Sequence, residues 1–478
     1  MIRRTVLGAA ICIGISAAAQ SATQQDIAQA QRHLNKLGFD AGIVDGLWGD
    51  ATKRALEAFL AETGNTYDGE LDGDELRLLE QELTSRGLSV GPTVDWEYRA
   101  TSIAFGGYEF ADQPVYEAIK TIREIPAYGF NVVTLDFRCV GKADLSAPES
   151  YPLGRRIGCS IANKQILKEE GFVSTRRDAT SLAIDEAIAA GLAVNLKPMF
   201  HELGRRFGNA DASGYGTVPL DIFFDGDGKT WSGYVPTILA VARYAQENGV
   251  AYLTIGTELN NLNSKIEEDR RWPEIIASVR EVFDGQIIYA TNYNNDSNLR
   301  GMSKSNVMRN VDIVGLNFFP SRMMGGREDY TAEEVAIAFH KAKSKNGRNM
   351  IGEGRRLQEQ LNVPIILSET IFPTWRGSAN WIFRGTCDYE NKGRSGWAYT
   401  KGPLQAKTPS DEHGQTLAQG FMYAFEDEDW VHGADYLYWA VAHAYDARTD
   451  TQQYGPCSSW LWDDNTGIKG LIKKFHDE

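Results

Sequence analysis

The stretch AYLTIGTELN, residues 251–260, decides the fold, because an uncharged run from Tyr252 to Thr257 leads directly into the carboxylate Glu258. The stretch VPIILSET, residues 363–370, leads in the same way into Glu369. Short uncharged runs of this kind are typical of strands that are buried on both faces. In parallel barrels, catalytic residues follow the carboxyl ends of the strands. The two stretches therefore predict two carboxylates at one end of a parallel barrel.

Further short runs rich in Val, Ile, Leu and aromatic residues bring the number of predicted strands to eight. The predicted strands are Ile103–Tyr108, Asn131–Phe137, Ala193–Met199, Tyr252–Thr257, Ile287–Thr291, Ile313–Phe318, Ile365–Ser368 and Tyr436–Ala440. Helical patterns between them cover Val115–Ile125, Ala179–Ala190, Tyr234–Asn248, Pro273–Phe283, Ala332–Lys343 and Gly414–Phe425. This alternation predicts an α/β fold, a (β/α)₈ TIM barrel over residues 101–478, with a doubly wound open sheet as the main alternative. Glu258 and Glu369 then end the fourth and seventh strands.

Two long segments, 138–175 and 370–412, exceed ordinary connections between a strand and a helix. Both are rich in Gly, Arg, Ser and aromatic residues. In a barrel, long loops that follow strands lie at the catalytic face. We therefore expect these two segments to build a cleft.

Residues 23–88 have a different pattern, with short helices around tight turns. A leucine helix with Gln31 is followed by Leu37-Gly38, the loop Val44-Asp45-Gly46-Leu47-Trp48-Gly49, and a helix with Thr52, Ala55 and Phe59. This order of residues resembles the all-α peptidoglycan-binding-like domain that accompanies many exported bacterial hydrolases. The resemblance implies binding of cell-wall glycan, although such domains also serve as spacers. Residues 89–100, with Gly91 and Pro92, are expected to be a linker.

The first 22 residues have the pattern of an export signal. Arg3 and Arg4 precede an apolar run, 6–15, and small residues follow at 17–19, which suits cleavage after Ala19 or Ala22. We expect a secreted or periplasmic protein, with a short N-terminal membrane anchor as the alternative.

Four cysteines remain after the expected cleavage, an even number for a chain sent to an oxidising compartment. Pairing by proximity in the sequence gives Cys139–Cys159 and Cys387–Cys457, but four cysteines allow three connectivities and could also stay reduced.

The formal net charge of −15 excludes most nucleic-acid partners, because phosphate binding needs a cationic face. Beyond the N-terminus no apolar run is long enough to span a bilayer. His201-Glu202 lacks the second histidine of a zinc-binding HExxH motif. We expect no metal or organic cofactor.

The barrel region resembles glycoside hydrolase clan A, and most closely family 113, which is known for β-mannanase activity. Besides the two glutamates, the matching segments are 272–280 (WPEIIASVR), 288–293 (IYATNY), 312–320 (DIVGLNFFP) and 364–369 (PIILSE). The resemblance implies that Glu258 is the general acid/base and that Glu369 is the nucleophile of a retaining hydrolase.

The same resemblance implies further residues that bind substrate or orient the nucleophile. It assigns Arg138 after the second strand, Asn292 or Tyr293 after the fifth, and Trp439 at the eighth. Trp375 follows the nucleophile and could stack on a sugar ring, and His201 is a further candidate for the cleft lining. Two departures stand out: Thr257 replaces the usual Asn, and Phe318-Phe319 replace the usual sixth-strand Tyr, so the hydrogen bond to the nucleophile is expected from elsewhere.

Three functions are compatible with these residues. The first is a β-mannan-type endo-glycosidase that works by double displacement. The second applies the same mechanism to peptidoglycan or another envelope glycan or exopolysaccharide, as the N-terminal region suggests. The third is a carbohydrate-binding barrel without turnover, as Thr257 and the missing Tyr suggest. In each case the partner is a polysaccharide.

Overall fold

The computed structural model describes residues 22–104, 121–139, 159, 179–200, 203–207, 217–294, 299–344, 347–374, 376–380, 389–391, 397–399, 410–437 and 466–477. The chain divides into two compact units, residues 1–90 and residues 91–478. The expected signal segment lies outside the described residues, apart from Ala22.

The first unit contains three helices, α1 (Gln24–Lys36), α2 (Asp50–Glu62) and α3 (Gly73–Ser85). Thr23 and Asp72 close capping boxes at the starts of α1 and α3, where free backbone N–H groups need acceptors. The helices pack around a core in which Leu34, Leu56 and Phe59 are fully buried. The predicted helical domain is confirmed.

Gln31 explains why the loop after α1 keeps its shape. Its side-chain amide donates to Asp45 Oδ1 (3.1 Å), the Leu47 carbonyl oxygen (3.2 Å) and Thr52 Oγ1 (3.0 Å). Its carbonyl oxygen accepts from the backbone N–H groups of Asp45 and Gly46. One buried side chain therefore ties the loop to the start of α2.

The second unit contains a closed barrel of eight parallel strands, as predicted, in the order β1-β2-β3-β4-β5-β6-β7-β10 around the ring. The barrel strands are β1 (Tyr98–Ala104), β2 (Val132–Arg138), β3 (Ala193–Met199), β4 (Tyr252–Thr257), β5 (Gln286–Asn294), β6 (Ile313–Phe319), β7 (Ile365–Thr370) and β10 (Val431–Tyr436). A separate antiparallel pair is formed by β8 (Tyr389–Asn391) and β9 (Trp397–Tyr399).

The first and last barrel strands start earlier than predicted. Pairing between β1 and β10 runs from Tyr98 with Gly433 to Thr101 with Tyr436, so β1 begins inside the segment expected to be a linker. The predictions followed the densest apolar runs, 103–108 and 436–440. The observed strands instead include Arg99, Gly433 and Asp435, which interrupt the apolar pattern.

Helices surround the strands. They are α4 (Ala179–Ala189), α5 (Leu203–Phe207), α6 (Leu220–Asp225), α7 (Tyr234–Glu247), α8 (Trp272–Arg280), α9 (Leu299–Met302), α10 (Ala332–Lys341), α11 (Met350–Leu361), α12 (Asp411–Phe425) and α13 (Thr466–Asp477). Five of the predicted helices correspond to α4, α7, α8, α10 and α12, whereas α11 was not predicted. Most of the predicted helix 115–125 lies outside the described residues. Within the described ranges, no helix has the length and apolarity needed to cross a membrane.

The barrel interior begins with an apolar floor. Six side chains from five strands form one buried cluster, Tyr98, Ala100, Val132, Ile288, Ile313 and Ile366. Because side chains alternate between the two faces of a strand, every second residue after this cluster also points into the barrel. These residues lie closer to the carboxyl ends of the strands. Cys139 and Cys159 form the first predicted disulfide, just beyond β2. Cys387 and Cys457 lie outside the described residues.

Candidate active site

Glu258 ends β4 in a left-handed backbone conformation, with φ of 54°. Its N–H still donates to the Ala290 carbonyl oxygen on β5 (3.2 Å), so the chain leaves the strand only at this residue. A non-glycine residue in this region is uncommon and costs conformational energy. The turn leaves the side chain half-buried at the end of the strand.

Asparagine side chains hold both oxygens of the Glu258 carboxyl group. Asn317 Nδ2 on β6 donates to Oε1 (3.0 Å), and Asn261 Nδ2 donates to Oε2 (3.1 Å). Asn317 is itself oriented by Ser368 on β7, whose Oγ donates to Asn317 Oδ1 (2.8 Å). The plane of the carboxyl group is therefore fixed by Asn317 and Asn261.

Glu369 forms an ion pair with Lys197 across the barrel interior. Lys197 Nζ on β3 donates to Glu369 Oε1 on β7 (2.7 Å), and the side chains are 2% and 8% exposed. Burial by itself lowers the pKa of Lys197, but the charges of Glu369, Asp435 and Asp136 together outweigh it and raise the pKa. Lys197 therefore remains a cation that supplies the hydrogen bond to Glu369.

Asn317 links the two glutamates. Asn317 on β6 pairs in register with Glu369 on β7, and its Nδ2 donates to Glu258 Oε1. The two carboxyl groups thus flank one asparagine at the carboxyl ends of the strands. Two carboxyl groups in such different surroundings, one held by neutral amides and one by a cation, are suited to different roles in acid/base chemistry.

Below the ion pair lies a buried polar group between the apolar floor and the glutamates. Asp435 Oδ2 on β10 accepts from Thr134 Oγ1 (2.6 Å), and Asn195 Nδ2 donates to both Thr134 Oγ1 and the Tyr98 hydroxyl. Thr254 Oγ1 donates to Asn195 Oδ1 (3.0 Å). Burial raises the pKa of Asp435 to about 7, against the opposing effects of Lys197 and Thr134.

The structure separates the predicted neighbours Asn292 and Tyr293. Asn292 is the register partner of Asn317 and shares the face of β5 that carries Ile288 of the barrel floor. Tyr293 lies on the opposite face, fully buried, where its hydroxyl donates to the Met350 carbonyl oxygen (2.6 Å) and its ring contacts Phe318. The expectation that Tyr293 contacts substrate is therefore wrong, because alternation directs it toward the surrounding helices.

Other predicted site residues are only partly described. Thr257 is buried at the end of β4, and its Oγ1 accepts from Asn317 Nδ2 (3.4 Å). Arg138 ends β2, but its side chain lies outside the described part of the structure. His201, Trp375 and Trp439 lie outside the described residues altogether.

Lys197, Asn317 and Asp435 are site residues that the sequence analysis missed. A signal for Lys197 was present in AVNLKPM, residues 193–199, where Asn195 and Lys197 occupy alternate positions of an otherwise apolar strand. Alternate polar positions in a buried strand indicate one shared polar face. In the parts of the chain that the structure describes, no three His, Cys, Asp or Glu side chains form a metal-binding group.

Comparison with known families supports both parts of the chain. The sequence model of glycoside hydrolase family 113 matches residues 161–457, more than half of the chain, and this segment includes Glu258 and Glu369. The model of a peptidoglycan binding domain matches residues 23–79. No curated protein matches the chain. Both family resemblances predicted from the motifs are confirmed.

Solved structures with the same kind of barrel include several mannanases. A complex of a family 113 β-1,4-mannanase is 14% identical and covers 81% of this chain and 100% of its own, with a TM-score of 0.48. The family 113 β-mannanase of Alicyclobacillus acidocaldarius is 14% identical over 80% of this chain and 97% of its own, with a TM-score of 0.47. The endo-β-1,4-mannanase of Thermotoga petrophila is 12% identical over 80% of this chain and 76% of its own, with a TM-score of 0.43.

Proposed function

Because the chain belongs to glycoside hydrolase family 113, we propose that it is a β-mannan-type endo-glycosidase that retains anomeric configuration by double displacement. The family membership makes the chain a glycoside hydrolase. The proposal adds the substrate class, the mechanism and the roles of the two glutamates. The observation that carries it is the contrast between Glu258, held by amides, and Glu369, held by the Lys197 ammonium group.

Glu369 is the proposed nucleophile. A nucleophilic carboxylate must be ionised, and an opposite charge in direct contact favours the ionised form. The Lys197 ammonium group 2.7 Å from Glu369 Oε1 supplies that charge. Attack of Glu369 on the anomeric carbon then forms a glycosyl ester while the bond to the leaving oxygen breaks.

Glu258 is the proposed general acid and base. It protonates the leaving oxygen in the first step and takes a proton from water in the second, which returns Glu369 as a carboxylate. The amide donors Asn261 and Asn317 orient the Glu258 carboxyl group for these transfers. Asn292, at the register position beside Asn317, is the described residue best suited to contact a sugar hydroxyl group.

The peptidoglycan binding domain favours a second candidate substrate. In this alternative the same two glutamates cleave peptidoglycan or another envelope glycan. We also propose that the protein is exported, as residues 1–22 suggest, and that residues 23–79 hold it on a glycan.

The test is release of new reducing ends from mannans, β-glucans and purified peptidoglycan. We expect release from mannan by the wild-type protein, with loss of at least about 10⁴-fold in Glu369→Ala and Glu258→Ala. Glu274→Gln, a change at an exposed glutamate on α8, is the matched control. A 2-fluoro-mannosyl donor with an activated leaving group should add one glycosyl mass on Glu369. Release from peptidoglycan alone would favour the second candidate, and binding without release or labelling would favour a binding barrel.

A further inference from the structure

The side chain of Lys197 crosses the barrel to reach Glu369. Strands β3 and β7 are four positions apart around the eight-stranded ring in either direction, so the two residues come from opposite walls. Both are almost completely shielded from water, and Nζ is 2.7 Å from Oε1. A buried charge needs a compensating charge, because removal of one partner leaves the other ion without solvation. The ion pair therefore couples the state of Lys197 to the state of Glu369.

Among the described residues, three carboxyl groups act on this single ammonium group. Their charges raise the pKa of Lys197 in the order Glu369, Asp435, Asp136, from β7, β10 and β2. The Tyr98 hydroxyl of β1 also faces the polar group, and burial raises its pKa well above the usual range, so it stays neutral. One cation cannot compensate every carboxylate in a dry interior, and at least one carboxyl group is expected to hold a proton.

Asp435 is the carboxyl group best suited to hold that proton. Its side chain is 2% exposed, and its Oδ2 already accepts from Thr134 Oγ1 (2.6 Å). Its Oδ1 is buried and has no hydrogen-bond partner among the described residues. A buried oxygen of this kind is costly as part of a carboxylate but can carry the proton of a neutral acid.

We propose that Lys197 is a positioning residue for the nucleophile and that Asp435 is its replacement counter-ion when Glu369 is esterified; this inference rests on the proposed function. In the free enzyme, Lys197 compensates ionised Glu369 while Asp435 is protonated. When Glu369 bonds to the anomeric carbon, the bond to the leaving oxygen breaks, that oxygen takes the proton of Glu258, and Glu369 loses its negative charge. Asp435 then releases its proton to water and compensates Lys197. Hydrolysis restores the Glu369 carboxylate, and Asp435 takes a proton back from water.

The first test compares Lys197→Met with Lys197→Arg in pH profiles of kcat/KM. Lys197→Met should lower kcat/KM by about 100-fold or more and move the acid limb of the profile to higher pH, because the charge that favours the carboxylate is lost. Lys197→Arg keeps a cation and should keep the position of the limb. A purely structural role predicts lower amplitude with an unmoved limb in both variants, and that outcome would overturn the inference.

The second test uses Asp435→Asn, which keeps the shape of the side chain and removes its ionisation. Inactivation by the 2-fluoro-mannosyl donor reports formation of the glycosyl ester, and recovery in buffer reports its hydrolysis. We expect about tenfold slower inactivation and faster recovery, because the ester form now lacks the carboxylate that would replace Glu369 as the counter-ion of Lys197. Unchanged inactivation and recovery would contradict the role of Asp435.

The two proposals fail in different ways. Absence of turnover and labelling in the wild-type protein on every glycan and donor tested contradicts the proposed function, and the inference falls with it. Wild-type turnover with an unmoved acid limb in Lys197→Met contradicts the inference alone. Thermal unfolding checks the ion pair without activity: Lys197→Met should lower Tm, and adding Glu369→Gln should recover part of the loss.

Discussion

The buried polar residues of the two units differ in how completely they are satisfied. In the helical unit, the Gln31 amide uses both its oxygen and its nitrogen, and every partner belongs to one loop and the start of α2. In the barrel, Asp435 has one hydrogen-bonded oxygen and one buried oxygen without a partner among the described residues. A fully paired polar group fixes one backbone conformation, whereas an incompletely paired acid keeps two protonation states accessible. The comparison suggests that the first kind supports the fold and the second supports chemistry.

The largest expected effect concerns closure of the barrel. A Cβ atom on Gly433 would meet the backbone carbonyl of Tyr98 directly, where β10 pairs with β1. Backbone cannot move aside as a flexible side chain can, so Gly433→Ala should destabilise the barrel by about 5 kcal/mol or more. Chemical unfolding followed by tryptophan fluorescence measures the loss.

Gly470→Ala is the matched control for that change. Gly470 lies in α13, where an added Cβ has no neighbour within 4 Å, so the substitution should be neutral or slightly stabilising. Equal stability of the two variants would mean that the close approach of β1 and β10 does not limit the barrel.

The same pair of strands shows how far the sequence could predict the structure. Strands β3 and β4 were predicted with their observed bounds, although β3 contains the charged residue Lys197. Strand β10 was misplaced, because Gly433 and Asp435 serve close packing and the interior polar group, and neither requirement appears as apolar periodicity. Helix α11, with glycines and charged residues at 352–356, was missed for a similar reason. Its buried face is short. The contact between Tyr293 and Met350 joins residues that are far apart in the sequence, so no local pattern indicates it.

The candidate site was predictable to a similar extent. Glu258 and Glu369 were visible as carboxylates at strand ends, because that signal is local in the sequence. Lys197 and Asn317 were not assigned, since their roles depend on which residues face them across the barrel. The missing sixth-strand Tyr indicated that Glu369 needs another hydrogen-bond donor, and Lys197 supplies it from β3.

The next effect concerns the pH dependence of barrel stability. Folded Asp435 keeps its proton up to about pH 7, whereas an unfolded aspartate releases it near pH 3.9. Between these values the folded state binds more protons, so the Asp435 contribution to the free energy of unfolding falls as pH rises and levels off above about 7. The total is up to roughly 4 kcal/mol.

Asp435→Asn should remove this slope. The difference in unfolding free energy between the variant and the wild-type protein should therefore grow in favour of the variant from pH 4 to pH 7. Asp429→Asn, at an exposed position, is the control. A constant difference across this range would show that Asp435 is ionised throughout, and the contrast with Gln31 would lose its basis.

A smaller effect is expected in the helical unit. Gln31→Leu keeps the approximate size of the side chain but removes five hydrogen bonds to the 45–52 region. Backbone groups of the loop that lose their partner but can reach water form hydrogen bonds to water instead. We therefore expect a destabilisation of about 3 kcal/mol. Gln29→Leu on the same helix removes one bond to Glu80 and should have little effect. Unchanged hydrolysis of soluble mannan would show that Gln31 supports only its own unit.

The smallest expected effect tests whether complete pairing can also serve chemistry. Asn317 uses its amide nitrogen on Glu258 and its oxygen on Ser368, so it is as fully paired as Gln31, yet it lies between the two glutamates. Asn317→Ala should lower kcat by about 100-fold, equivalent to about 2.7 kcal/mol, with little change in KM, because Glu258 loses the donor that orients it.

Asn310→Ala, at an exposed position outside the barrel strands, provides the control. An equal rise in KM with unchanged kcat would place Asn317 among residues that bind the ground state. Full activity would mean that Glu258 does not need Asn317 to orient it. The expected loss of kcat would instead mean that a polar residue supports chemistry because of its position relative to Glu258 and Glu369, even when its pairing is complete.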